Sequence, residues 1–135
     1  MRKSILIAAA IAVLAGTSMA FSTASFKAWA GPWEDGMAAY NRGDYVPAIK
    51  LFRPLAQAGN AKAQSVMGVM YRKGQGVARS SARAFMWFSL AAARGDAKAK
   101  AELAEVSKEM TPADIAHARE MMQACEASNY RDCAY

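Results

Sequence analysis

From residue 48 the sequence reads Ala48-Ile49-Lys50-Leu51-Phe52-Arg53-Pro54-Leu55-Ala56-Gln57-Ala58-Gly59-Asn60-Ala61-Lys62-Ala63. From residue 84 it reads Ala84-Phe85-Met86-Trp87-Phe88-Ser89-Leu90-Ala91-Ala92-Ala93-Arg94-Gly95-Asp96-Ala97-Lys98-Ala99. Ala48, Phe52, Ala56, Gly59, Ala61, Lys62 and Ala63 return thirty-six positions later, and Asn60 is answered by Asp96. Met67-Gly68 becomes Leu103-Ala104 at the same offset, while Gly36 corresponds to Gly68 at an offset of thirty-two. The four residues missing from the first unit fall between Gly36 and Ala48. A period of this length, kept through two units, signals stacked repeats. Recurring Ala and Gly let helix backbones approach, and Phe52, Trp87 and Phe88 fill the wider gaps. A single helix pair cannot bury its apolar face, so the pairs stack.

Outward from this core, apolar clusters keep the helical period rather than the alternation of a strand. Gly43-Asp44, Gly59-Asn60, Gly74-Gln75-Gly76 and Gly95-Asp96 mark the joints. Thr111-Pro112 opens a last helix, with a hydroxyl N-cap, Pro at the first position and Asp114 in the first turn. Six helices are predicted: Trp33–Arg42, Tyr45–Ala58, Ala61–Lys73, Ser80–Arg94, Ala97–Glu109 and Pro112–Ala127. The short joints make neighbours antiparallel. The expected fold is all-α: a short α/α solenoid of about three antiparallel helix pairs with a capping C-terminal helix.

The run Ala63-x-x-x-Met67-Gly68-x-x-Tyr71-x-x-Gly74-x-Gly76-Val77 leads into Ala82-x-Ala84-x-x-Trp87-x-x-x-Ala91-Ala92-x-x-Gly95. Together they resemble a Sel1-like repeat. The preceding unit, Gly36 through Gly43-Asp44-Tyr45-x-x-Ala48, is similar to the shorter tetratricopeptide relative. The resemblance covers about Trp33 to Ser107. It departs at Arg79-Ser80, where the family usually carries an acidic residue before the second helix, and at Ser107, which replaces the Tyr71 equivalent. Some Sel1-like proteins are cysteine-rich and linked to β-lactam binding, but the repeats here lack those cysteines.

At the N-terminus, Arg2 and Lys3 precede an apolar run from Ile5 to Ala15 and then small residues. This pattern describes a secretory signal peptide. Cleavage after Ala20 has the usual distance from the apolar run, and cleavage after Ala30 has the better A-x-A chemistry. An uncleaved membrane anchor is the alternative. The expected organisation is a signal peptide over 1–20 (or 1–30), repeats over 31–110, and a capping helix with a disulfide-closed tail over 111–135. The whole chain carries a formal charge of +6. Removing Arg2, Lys3 and Lys27 leaves 14 basic and 11 acidic residues, a mild excess. A periplasmic or secreted location makes nucleic acid an implausible partner. Two cysteines in an exported chain are expected to pair, here Cys125 with Cys133. Closing so short a loop fastens the cap, and no C-x-x-C points to redox catalysis.

No catalytic or cofactor constellation is visible. His117 is the single histidine, which leaves no histidine triad and too few ligands for a structural zinc. Gly74-Gln75-Gly76 lacks the Lys and Ser/Thr of a phosphate loop. Glu34-Asp35 and Glu102 with Glu105 read as helix-terminal charge and a solvated face. The resemblance implies that the first helix of each pair lines a concave partner-binding surface. On this chain that surface carries Trp33, Met37 and Tyr40, then Lys62, Ser65, Val69, Arg72 and Lys73, then Lys98, Glu105 and Lys108. The expected groove is aromatic at one end and basic along the rest. It suits an acidic or C-terminal peptide segment, and it would also attract an acidic polysaccharide. The expected function is a non-catalytic interaction module or adaptor. A cell-wall or β-lactam-related hydrolase and a structural part of an envelope assembly are the alternatives.

Overall fold

A computed structural model describes residues 30–133, and the stretch 1–20 expected to be a signal peptide lies outside them. Six helices follow in order: α1 Pro32–Asn41, α2 Tyr45–Gln57, α3 Ala61–Lys73, α4 Ser81–Ala93, α5 Ala97–Lys108 and α6 Pro112–Ala127. There is no strand among the described residues. The helix ends fall within one residue of the expected ones, and the caps explain why. The side chains of Asn60, Ser80, Asp96 and Thr111 each accept a hydrogen bond from a first-turn backbone N–H, at Ala63, Arg83, Ala99 and Asp114 respectively. Each cap satisfies a donor that the helix cannot satisfy itself. Ser80 thus supplies the cap that opens α4.

Consecutive helices from α1 to α5 pack on one another, giving the expected short solenoid. The core is a continuous run of Ala48, Phe52, Ala63, Met67, Met70, Tyr71, Ala84, Met86, Trp87 and Phe88, all at most 2% exposed. The repeated glycines have a clear role here. A Cβ on Gly68 would stand 2.5 Å from the Phe88 ring, and one on Gly36 would stand 2.7 Å from the Phe52 ring. Each unit therefore seats the aromatic of its second helix directly on the backbone of its first. Between α3 and α4, Gly74 and Gly76 take left-handed φ of 69° and 72°. This bend is the unusual turn that two glycines allow. Gly76 lies against the backbone of Tyr45, leaving no room for a side chain.

The last helix departs from the pattern. Despite its short joint to α5, α6 packs chiefly against α4. Its fully buried Ala118 and Cys125, seven residues apart, lie on the face that meets the core. Ala104, the α5 equivalent of Gly68, is exposed, and no aromatic ring is seated on it. Without that seat, α6 closes the end of the stack over α4. It begins with a reciprocal capping box: Asp114 N–H donates to Thr111 Oγ1 at 3.1 Å, and Thr111 N–H donates to Asp114 Oδ2 at 3.2 Å. The Thr111 hydroxyl and backbone hold the Asp114 carboxyl below the usual aspartate range. No helix among the described residues is long and apolar enough to cross a membrane.

Candidate partner-binding face

The first helices of the units, α1, α3 and α5, leave a hollow of about 230 Å³ between them. Trp33 and Met37 line it from α1, Lys62, Ser65 and Val66 from α3, and Asp96 and Lys98 from the start of α5. The Trp33 ring is held at 5.4 Å from Phe52, tilted by 56°. Because Phe52 is itself seated on Gly36, the indole stands on the rigid part of the fold. Lys62 and Lys98 occupy the same register of successive units. Both are exposed, and neither forms an ion pair among the described residues. The Asp96 carboxylate is engaged, since its Oδ1 accepts from the Ala99 N–H at 2.7 Å. Ser65 is only 4% exposed, and its hydroxyl has no hydrogen-bond partner among the described residues. The hollow thus has an apolar wall, a wall of two lysines and the capping Asp96 carboxylate, and a nearly buried hydroxyl.

Five of the eleven residues expected on this face, Trp33, Met37, Lys62, Ser65 and Lys98, meet at the hollow. The other six lie elsewhere along the same helices. Tyr40 donates its hydroxyl hydrogen to Gln75 Oε1 at 3.0 Å and stacks edge-on with Tyr45, pinning the α3–α4 joint to α1 and α2. Val69 is half-buried against the core, and Lys73 is exposed. Arg72 bridges two carboxylates of the next unit, Glu102 at 2.7 Å and Glu109 at 2.6 Å. The hydrogen bond to Glu109 raises its pKa, Glu102 adds to this, and partial burial opposes it. Lys108 is paired with Glu105 at 2.8 Å, and this contact pulls the Glu105 carboxyl below its usual range.

The end of the face beyond the hollow is therefore a charge-compensated latch between α3 and α5, with Lys73 its exposed cation. Glu102 is therefore not part of a merely solvated face with Glu105, because it and Glu109 bind Arg72 across the helices. The repeat register held the signal. The thirty-six-residue offset puts Arg72 level with Lys108, beside the acidic end of α5. Charge is also segregated along the chain: from Tyr45 to Gly95 there are eight Lys or Arg and no Asp or Glu.

A second hollow, of about 410 Å³, lies between the start of α4 and α6 and is lined by Ser80, Ala82, Arg83, His117 and Met121. His117 is exposed there, 4.0 Å from Glu120, and Arg83 lies over the Tyr71 ring at 5.8 Å. No group of three or more His, Cys, Asp or Glu among the described residues could hold a metal ion. Cys125 and Cys133 form a disulfide and are both fully buried. The tail turns back through left-handed Asn129 and Tyr130. Arg94 then donates to the Tyr130 hydroxyl at 2.8 Å, with its guanidinium over the ring at 5.2 Å. Arg94 also lies against Gly59, so the tail is tied to the α2–α3 joint as well as to α4.

Residues 61–96, which make up α3, the long joint, α4 and the following cap, match the family model of the Sel1 repeat. The chain thus contains a Sel1 repeat. The match begins at the first residue of α3 and ends at Asp96, the residue that caps α5. One Sel1 repeat therefore contains both the Gly68–Phe88 seat and Lys62. No curated protein matches the chain. Sel1 repeats generally mediate protein–protein interaction and are typically non-catalytic.

Proposed function

We propose that this Sel1-like protein is an exported adaptor that holds a peptide segment of a protein partner in the hollow between α1, α3 and α5. The observation that carries the reading is the hollow itself. It sits on the first helices of the repeats, with an anchored indole on one side and two unpaired lysines on the other. Aromatic and cationic groups around a concavity suit capture of a short segment. The acid-free stretch from Tyr45 to Gly95 favours an acidic partner by long-range attraction. Export rests on Arg2-Lys3 and the apolar run from Ile5 to Ala15.

The test is a crosslinking pull-down of the tagged mature protein from a native envelope preparation, read by mass spectrometry. The comparison is with a Lys62→Glu/Lys98→Glu variant, because both residues are exposed and neither supports the fold. One partner captured by the natural protein and lost by the variant is the expected result. Equal capture by both would place the interaction on another face.

A further inference from the structure

The second hollow, between the start of α4 and α6, is built around an arginine that the fold leaves without an anion. Arg83 is half-buried and forms no ion pair among the described residues. Its guanidinium lies over the Tyr71 ring at 5.8 Å, and its Nε is buried with no hydrogen-bond partner among the described residues. The stretch from Tyr45 to Gly95, to which it belongs, carries no Asp or Glu. Two carboxylates of α6 are engaged elsewhere. Glu120 stands 4.0 Å from His117 Nδ1, and Asp114 is held by the Thr111 hydroxyl and backbone. A guanidinium taken partly out of water gives up solvation that a ring face returns only in part. An anion that reaches its edge supplies the rest.

The other walls set what such an anion carries. Ala82 from α4 and Met121 from α6 are apolar and partly buried. His117, four residues before Met121 on the same face of α6, brings a ring N–H in either charge state. Ser80 Oγ accepts from the Arg83 backbone N–H at 3.2 Å, which leaves its hydroxyl hydrogen to donate. At about 410 Å³ the hollow is in the range of small-ligand sites and holds more than a bare inorganic anion. The planar fork of an arginine matches a carboxylate through two parallel bonds, and a single permanent cation suits a single negative charge.

We propose that the hollow between α4 and α6 binds a small apolar carboxylate. The carboxylate accepts from the Arg83 guanidinium and the Ser80 hydroxyl, with the His117 N–H at the rim, and the apolar body rests on Ala82 and Met121. Such a ligand spans the contact on which α6 depends, because α6 packs chiefly against α4. Binding therefore tightens the cap on the stack. The site is separate from the α1–α3–α5 face and does not depend on what binds there.

The experiment titrates the mature, isotope-labelled protein with phenylacetate, phenylacetamide and inorganic phosphate, followed by amide NMR. Phenylacetate should give saturable shifts at Ser80–Arg83 and His117–Met121, about tenfold tighter than the amide or phosphate, as expected for a charge-assisted contact. Arg83→Gln should remove the preference for acid over amide. Arg83→Lys should restore only part of it, because an ammonium keeps the charge and loses the fork. Met121→Ala should weaken acid and amide together. Saturating phenylacetate should also raise the thermal midpoint and slow hydrogen exchange in α6, and should do neither in Arg83→Gln. His117→Ala, at an exposed position, should weaken the acid more than the amide, and it decides the question if Arg83→Gln does not fold. Lys62→Glu/Lys98→Glu should leave phenylacetate binding unchanged, which separates this site from the partner-binding face.

Equal affinity for acid and amide, no saturable shifts, or shifts at the α1–α3–α5 hollow instead overturns the proposal. Phosphate binding as tightly as phenylacetate overturns it by leaving the apolar wall without a role. A folded Arg83→Gln variant that keeps the acid preference also overturns it, and assigns Arg83 to packing on Tyr71 alone.

Discussion

Helices α3 and α5 start from nearly the same sequence, Gly59-Asn60-Ala61-Lys62-Ala63 and Gly95-Asp96-Ala97-Lys98-Ala99, and from the same cap geometry. Their surroundings then diverge. Gly59 lies under the Arg94 guanidinium, whereas Gly95 has nothing within 4 Å. Gln64 is fully buried and donates to the Ala56 carbonyl at 3.1 Å, whereas its counterpart Lys100 is exposed. Met67 and Tyr71 are buried, whereas Leu103 and Ser107 are half-buried. A repeat sequence fixes the helix and its cap, but burial depends on having a neighbour on both sides. Helix α3 has a unit before and after it. Helix α5 has one before it and only the α6 cap nearby, and α6 rests on α4.

The largest effect should come from emptying the seat that α3 provides. Phe88→Ala should cost about 3–5 kcal/mol in denaturant unfolding, as expected for a fully buried aromatic. Gly68→Ala should cost roughly 1–3 kcal/mol, because the added Cβ meets the ring. Combining Gly68→Ala with Phe88→Leu should cost less than the sum of the single changes. Strict additivity would show that the glycine and the ring do not share one space. Ala104→Gly in α5 is the control. It should show only the helix-propensity loss of up to about 1 kcal/mol, with no coupling to an aromatic.

Next in size is the tail beyond α6, which is tied to the end of α4. Cys125→Ser with Cys133→Ser should lower stability by roughly 2–3 kcal/mol, the chain-entropy value for so short a loop. Hydrogen exchange should then rise around α6 and the Arg94–Tyr130 contact while α3 keeps its protection. Loss of protection throughout α3 would mean that the two ends are not separable. A smaller effect is expected at the latch between the two compared helices. Arg72→Ala should cost about 1 kcal/mol or less at low ionic strength, shrinking in salt, because the pairs with Glu102 and Glu109 are partly exposed. A loss that does not change with salt would indicate packing by the arginine stem instead.

The smallest signal should be the acid dependence of the capping box. Asp114 has a depressed pKa in the folded protein, so its contribution is full above the unfolded aspartate value of about 3.9. It is lost as the pH falls below that value through the lower folded one. Asp114→Asn should therefore flatten the acid limb of a thermal-stability profile of α6, leaving the neutral region to show only the lost cap. An unchanged acid limb would mean that other carboxylates set it.

How far the molecule could be read from its sequence varies with the kind of interaction. Asn60, Ser80, Asp96 and Thr111 act on backbone groups within three residues, so the helices and their ends were legible from spacing alone. The Gly36–Phe52 and Gly68–Phe88 seats were partly legible, because a glycine and an aromatic recur together. The Cys125–Cys133 bridge was expected because two cysteines in a chain that reads as exported tend to pair. Arg72 was not legible as a latch, since its carboxylates lie thirty and thirty-seven residues away. Tyr40 was placed on the right helix, yet its bond to Gln75 depends on how the joint folds over α1.

The sequence by itself determined the repeat period, the helices and the pairing of the cysteines, all of which arise from local geometry or a fixed offset. Only the tertiary structure decided which lysines keep a free charge, which serine lacks a partner, and that α6 rests on α4. Those outcomes depend on distances between units. Such distances come from the packing of Phe52 and Phe88 on their glycines, and no single segment encodes them.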